Sequence, residues 1–374
     1  MPGVLEVLWH GLRDSLLMAW EVWWALVLGF AISAVVQAWA PRERIEGALS
    51  GSGARPVALA TALGAASSSC SYAAIAIARS LFAMGASAAS ALAFQLASTN
   101  LVWELGLVLW ALIGWQFTLA EYLGGLLMIA LMSAMLRLFV SPQLERAARE
   151  HARRAARGGD GHRHGPAGAG AGGWRARLRS RASWSQVARR FRADWLMLYR
   201  EITIGFLLAG FVAQLGDGFF TALFVRHAGG AATALENVLV GPAIAVLSFV
   251  CSVGNVPLAA VLWSGGISFA GVLAFLFADL IVLPIVVAYR SYYGSRFAAR
   301  IVALMFAAMA LAALIVGALF GALGLVPGGP RPTRAAVFGS VSPDYKLALN
   351  ALALGAFATL MWLARERSGG APPG

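Results

Sequence analysis

The sequence predicts an all-α, polytopic membrane protein of about 8–10 membrane helices or half-helices, arranged as two inverted repeats. Three observations predict it. Of 374 residues, 60% are apolar and 12% charged, with a mean hydropathy of +0.74, whereas a soluble domain carries about 25% charged residues. Apolar runs near the length of one bilayer crossing recur along the chain, without the alternation of barrel strands. A polar-interrupted apolar segment in the first half returns in the second.

The runs Met18 to Ala40, Phe117 to Val140, Ile202 to Val225, Ile301 to Leu325 and Leu347 to Leu363 each suffice for one span. Pro56 to Gly114 and Gly241 to Tyr289 exceed one crossing each. The first run has Glu6, Arg13 and Asp14 before it and no small-residue cleavage site after it, so it is expected to stay in the protein. Both cysteines lie inside apolar segments, which argues against a disulfide framework.

Net charge is +12, a value that in a soluble protein would point to nucleic acid. Here thirteen arginines fall between residues 141 and 195, so the excess reads as membrane topology, with no nucleic-acid partner. Arginine beside membrane helices marks the cytoplasmic side. The expected organisation is a first transmembrane repeat over 1–140, a basic, disordered cytoplasmic linker over 141–195 with room only for short amphipathic helices at its ends, a second repeat over 196–367 and a tail over 368–374. His151, His162 and His164 lie in that linker and are read as solvated side chains, since a metal site needs fixed ligands. No metal and no cofactor is expected.

The repeat is visible when Cys251 is laid over Cys70, 181 positions earlier. Ser71 then meets Ser252, Gly85 meets Gly266, and Ala93, Phe94 and Ala97 meet Ala274, Phe275 and Ala278, without a gap. Arg42, Arg44 and Arg55 precede the first copy and no basic residue follows it near Trp115, while Arg290, Arg296 and Arg300 follow the second. Basic loops on opposite flanks give the copies opposite senses, the pattern of inverted-repeat secondary transporters. A copy that crosses an odd number of times holds one span plus a re-entrant hairpin, or three short spans. The N-terminus is then outside and the Arg365–Arg367 tail inside.

The chemistry sits in the interruptions. Ser67, Ser68, Ser69, Cys70, Ser71 and Tyr72 put hydroxyls and a thiol inside an apolar stretch, where unwound backbone is tolerated only if it lines a cavity or is buried in protein. The second copy runs Cys251, Ser252, Val253, Gly254, Asn255, Val256, Pro257. Gly254 permits unusual dihedrals, Pro257 lacks an N–H and pushes Val256 toward an extended conformation, so a helix break is expected there. Further on, Gln95, Ser98, Thr99, Asn100 and Glu104 interrupt one helix, and Asp279 takes the place of Ser98 in the other copy. A carboxylate deep in a bilayer must face protein or water. Glu104 and Asp279 are therefore the candidates for coupling transport to a proton or cation gradient, and the other residues named line the substrate path.

Glu21, Glu121 and Glu201 lie near expected helix ends and read as snorkelling side chains; Asn237 and Asn350 read as links between helices. Trp20, Trp23 and Trp24 read as an interfacial belt, and Gly85 with Gly265-Gly266 as turns.

The segments Ser69 to Tyr72, Ala97 to Leu105 and Phe249 to Ala259 together resemble the ArsP-type predicted permease family, over roughly residues 15 to 365. The resemblance implies an integral inner-membrane permease of a bacterium; some members export trivalent organoarsenicals. Many relatives have Cys-x-Cys where this chain has Ser69-Cys70-Ser71, and their acidic Thr-x-Glu element differs from Ser98-Thr99-Asn100, so a metalloid-chelating mechanism does not carry over with the family. The expected activity is secondary transport exporting a small solute: an organoarsenical, a metalloid or a metal-like species. A passive channel with the same lining is the alternative. An intramembrane enzyme using Ser69, Cys70 or Glu104 is less favoured, because no nucleophile sits in a catalytic motif. No Walker loop is present, so an ion gradient is the expected energy source.

Overall fold

The computed structural model describes residues 4–39, 53–67, 71–158, 180–215, 230–248, 252–328, 331 and 345–365. Among these every regular element is helical. The first half contributes α1 (Val4–Trp39), α2 (Ala54–Ser67), α3 (Ser71–Met84), α4 (Ala88–Asn100), α5 (Trp103–Leu112) and α6 (Trp115–Phe139). After α7 (Pro142–Gly158) the same order returns as α8 (Arg181–Val212), α9 (Gly230–Ser248), α10 (Ser252–Gly265), α11 (Phe269–Phe277), α12 (Leu283–Tyr293) and α13 (Ser295–Ala322), and α14 (Tyr345–Arg365) ends the fold. A 3₁₀ turn, Ala278–Leu280, links α11 to α12.

Among the described residues five segments are long and apolar enough to cross a membrane, and six if Phe269–Leu280 and Leu283–Tyr293, bent by 43°, count as one. Leu119, Leu123 and Leu126 on α6, and Leu311, Ile315 and Leu319 on α13, stand exposed along single helix faces. Outward leucine stripes at helical spacing are what hydrocarbon solvates and water does not.

The local devices repeat at the spacing read from the sequence. α2 stops at Ser67 and α3 starts at Ser71; α9 stops at Ser248 and α10 starts at Ser252. Both return helices end on a glycine with positive φ, Gly85 at +123° and Gly266 at +114°, where a side chain would be strained. Each turn then passes to an N-cap serine: Ser87 accepts from Ser90 N, and Ser268 from Gly271 N.

α2 runs alongside α4, where Gly64 meets the Phe94 carbonyl, and α9 alongside α11, where Gly241 meets the Gly271 carbonyl. Asn237, nearer the start of α9, takes the Ser268 amide at 2.9 Å. α9 therefore enters from the end of the bundle that holds the Gly266 turn, and α10 returns to that end. α2 and α3 form the corresponding hairpin at the Gly85 turn. That turn packs at the start of α13, with Phe82 5.8 Å from Phe297; the Gly266 turn packs at its far end, with Phe269 5.4 Å from Phe320. At ~1.5 Å per residue those two points on α13 are about 35 Å apart. The two glycine turns thus lie at opposite ends of α13.

One sequence expectation needs correction. No break falls at Gly254 to Pro257: Ser252–Gly265 is one helix, with Gly254, Val256 and Pro257 inside it. Pro257 lies in the second turn, where it removes the single bond to the Val253 carbonyl and the helix survives. Gly254 serves close packing instead, since its carbonyl abuts Gly205 of α8. The two ends of the arginine-rich segment are helical, as α7 and as the start of α8, in line with the helices expected there. Trp23 lies in an aromatic cluster with Trp195 (5.3 Å) and Phe357 (5.4 Å), where α1, α8 and α14 meet. Glu21 is paired with the chain's single lysine, Lys346, on α14. Asn350 links helices as expected, accepting from Trp24 N (3.0 Å) and donating to Trp20 O (2.8 Å). It thereby spans two backbone groups one turn apart on α1.

Candidate functional site

Of the site residues the sequence singled out, Ser68, Ser69, Cys70 and Cys251 lie outside the described residues. Their immediate neighbours do not. Ser71 and Ser252 are the first residues of α3 and α10. Both hydroxyls donate to the same carboxylate oxygen, Oδ2 of Asp279, Ser71 across 3.2 Å. Two residues 181 positions apart thus converge on one acid. The helices they start direct N-terminal amides, with their partial positive charge, toward it.

Asp279 owes its position to the 3₁₀ turn between α11 and α12. Counted from Phe269 at the bundle end, ten residues at ~1.5 Å bring it about 15 Å inward, near the middle of a ~30 Å hydrocarbon layer. It is 1% exposed, and its Oδ1 has no hydrogen-bond partner among the described residues.

Glu121 of α6, read from the sequence as a snorkelling residue, is also in this region. It is fully buried, and neither carboxylate oxygen has a hydrogen-bond partner among the described residues. One turn on, Gly124 abuts the Phe277 ring and Gly125 abuts Leu101 and Asn100. Residues three and four apart share a helix face, so Glu121 looks toward both helix interruptions, and it lies within electrostatic range of Asp279. A charged group followed a turn later by two glycines was the available signal; closeness to an expected helix end outweighed it.

The remaining polar residues divide into two groups. Ser98 and Thr99 turn their hydroxyls onto their own helix, Ser98 to the Gln95 carbonyl (2.9 Å) and Thr99 to the Leu96 carbonyl (3.2 Å). Asn100 Nδ2 donates to the Leu96 carbonyl (3.1 Å) and to Thr99 Oγ1 (3.0 Å), leaving its Oδ1 without a partner among the described residues. Gln95 crosses to the other half, donating to the hydroxyl of buried Tyr289 on α12. Nothing in the sequence marks Tyr289. Asn255, in the first turn of α10, is fully buried with both amide atoms unpartnered among the described residues. Buried amides without partners are rare, and each needs water or a ligand to satisfy it. Gly254 and Pro257 are buried on α10 beside it.

Glu104 stands apart from this group. It occupies the first turn of α5, where its acidic side chain complements the helix N-terminus, and its backbone packs on Gly29 of α1. Among the described residues no cluster of His, Cys, Asp and Glu is suited to a metal ion. His151 sits on α7 with Nε2 3.0 Å from the Ser291 carbonyl, and His162 and His164 lie outside the described residues.

Comparison with known proteins agrees with this architecture. Residues 13–318 match the ArsP_1 family model, described as a predicted permease. A Mycobacterium tuberculosis (strain ATCC 25618 / H37Rv) protein named "Putative permease Rv2963" is 48% identical over 252 residues, 65% of this chain. The match takes in 60% of that relative's length. No solved structure matches the chain. A multi-pass helical bundle with buried polar groups at its centre, matched by the family model from residue 13 to 318, identifies the chain as a member of the ArsP_1 family of predicted permeases.

Proposed function

We propose that the protein is a secondary transporter built from two inverted repeats, exporting a small solute across the inner membrane of a bacterium through a central site at Asp279. One observation carries the reading: Ser71 and Ser252, equivalent residues at the inner ends of hairpins from opposite ends of the bundle, hold one buried carboxylate. A site at that meeting point is reached from either end by displacing one hairpin, which is what alternating access requires. The unpartnered atoms of Asp279, Asn255, Asn100 and Gln95 supply a carboxylate and amides to the solute. Asp279 and Glu121 lack a cationic partner among the described residues, which suits them to carry a proton or cation. Glu104 is the further coupling candidate from the sequence. The arginine-rich segment after α6 puts that end of the bundle in the cytoplasm.

The family resemblance places trivalent organoarsenicals first among solutes to try. The test is uptake of a trivalent methylarsenical, arsenite or antimonite into proteoliposomes with and without an imposed pH gradient. Gradient-driven uptake that is lost in Asp279→Asn is expected. Uptake indifferent to both the gradient and the substitution would replace this reading with a passive channel.

A further inference from the structure

Outside the central site, two arginines hold the two hairpins in the same way. Arg149 of α7 donates from Nη1 to the carbonyls of Phe82 (2.9 Å) and Ala86 (2.8 Å), and its guanidinium lies 4.5 Å from the centre of the Phe82 ring. Arg331, between α13 and α14, donates from Nη1 to the carbonyls of Trp263 (3.0 Å) and Ile267 (2.7 Å), and lies 4.1 Å from the centre of the Trp263 ring. Phe82 and Trp263 are 181 positions apart, as are Ala86 and Ile267. The same two carbonyls and the same ring are gripped in each half. Each arginine comes from a segment outside the hairpin it grips, so neither grip follows from local chain geometry.

The carbonyls belong to the last turns of α3 and α10 and to the glycine turns after them. Such groups lose their intrahelical partners at a helix C-terminus, where a cation is favoured. Glu145 fixes the first arginine through a 2.9 Å ion pair, and its Oε1 also takes the Ala88 amide at 3.1 Å, tying α7 to the start of α4. The rings that neighbour the two grips, Phe297 and Phe320, mark the two ends of α13.

We propose that Arg149 and Arg331 are paired positioning residues, each fixing the outer end of one hairpin and so holding that hairpin's serine on Asp279. This rests on the transport reading above. Releasing Arg149 frees α3 and opens the site toward the end that carries α7. Releasing Arg331 frees α10 and opens it toward the opposite end. A merely structural pair would destabilise the bundle without choosing a side.

The chain's only two cysteines, Cys70 and Cys251, immediately precede those serines and serve as native reporters. Full-length protein would be treated with a membrane-impermeant methanethiosulfonate in right-side-out and in inside-out vesicles, with Cys70→Ser and Cys251→Ser identifying the labelled thiol. Arg149→Ala should raise labelling about tenfold from the face bearing α7 and leave the other face unchanged, the shift expected when about 1.4 kcal/mol of closed-state preference is lost. Arg331→Ala should do the same from the opposite face. Arg149→Lys and Arg331→Lys, which keep a charged donor and lose the planar stack, should fall between; if an alanine variant fails to insert, its lysine counterpart carries the test at smaller size. Labelling that rises from the same face in both variants, or in neither, overturns the paired assignment. Thiols that react from neither face, in wild type and in all variants, would remove the central pathway itself and the pairing with it.

Discussion

The two hairpin-and-span units, α2 to α5 and α9 to α12, share a frame and differ in what they carry. The serine that starts each return helix, the positive-φ glycine, the serine cap and the arginine-gripped turn agree at one spacing. The polar load does not. Gln95 stands where the second unit has Leu276 and Ser98 where it has Asp279, while past the turn Asn100 and Glu104 stand where it has Leu280 and Pro284. At these matched positions the first unit carries amides, a hydroxyl and Glu104, and the second carries the Asp279 carboxylate among apolar residues. The backbone departs at the same place. α4 stays α-helical through Asn100, whereas α11 gives way to the 3₁₀ turn holding Asp279, and the next helix starts 180 positions after its counterpart rather than 181. A 3₁₀ turn rises ~2.0 Å per residue against ~1.5 Å in an α-helix, so three residues cover the length of four and absorb the deletion. The symmetric frame sets the place; the asymmetric turn sets the charge.

Removing the charge should have the largest effect. Asp279→Asn keeps the volume but replaces the acceptor shared by Ser71 and Ser252 with a neutral amide. Gradient-driven uptake should fall by at least about tenfold while the protein still inserts, because an interaction with a charged group contributes roughly 1.5–3 kcal/mol. Undiminished uptake would move the centre of the site away from the carboxylate.

The next comparison is of the flanks. α8 packs on α10, with Gly205 set against the Gly254 backbone, whereas α1 packs on α5, with Gly29 set against Glu104. These contacts break the symmetry of the frame. A Cβ on Gly205 would lie 2.2 Å from the Gly254 carbonyl oxygen. Two helix backbones cannot rotate away as a side chain would, so Gly205→Ala should separate α8 from α10 and destabilise the protein by roughly 1–3 kcal/mol or more. Gly321→Ala, with open space around its Cβ, is the control. Melting in detergent that is unchanged for both variants would show α8 to be loosely held.

Making the first unit resemble the second is a gentler change. Gln95→Leu installs the residue found at position 276 and leaves the buried Tyr289 hydroxyl without its amide donor. Among the described residues the hydroxyl then keeps only Met305 Sδ at 4.0 Å, a loss of about 1 kcal/mol, so the variant should melt earlier. Tyr289→Phe in the same background should recover part of the loss, since both partners are then apolar. No recovery would mean that Gln95 acts on the solute rather than on Tyr289.

Much of the frame was legible in the sequence because it rests on residue types with few alternatives. Glycine at the two turns, serine after each cysteine and apolar runs of spanning length all express local rules. Asp279 was legible for a different reason: a carboxylate inside an apolar segment must be accommodated. The place of the break at Pro257 was misread because a proline in the second turn forfeits only one bond, which local propensity cannot weigh against buried packing. Glu121, Tyr289 and the two arginines were not legible as partners, because their roles depend on helices far away in sequence. Glu121 precedes by one turn Gly124 and Gly125, which meet Phe277 and Asn100, and Arg149 reaches back to Phe82 only once α7 has folded over the turn.

The smallest expected effect gives the narrowest test of how equal the two frames are. Ser87 and Ser268 cap α4 and α11 with the same geometry, accepting from the amide three residues on at 3.1 Å in each case. Replacing either with alanine forfeits one cap, about 1 kcal/mol. Their surroundings differ: the start of α4 is held by Glu145 through the Ala88 amide, whereas the Ser268 amide is held by Asn237 within its own half. If the caps contribute to a frame that is energetically as well as geometrically repeated, Ser87→Ala and Ser268→Ala should lower the melting temperature by similar amounts, and the double variant by their sum, since the sites lie at opposite ends of α13 and share no partner. A loss confined to Ser268→Ala would mean that α7, through Glu145 and Arg149, already holds the first turn without its cap. The amphipathic helix would then be the stronger restraint on the end of the bundle that carries α7.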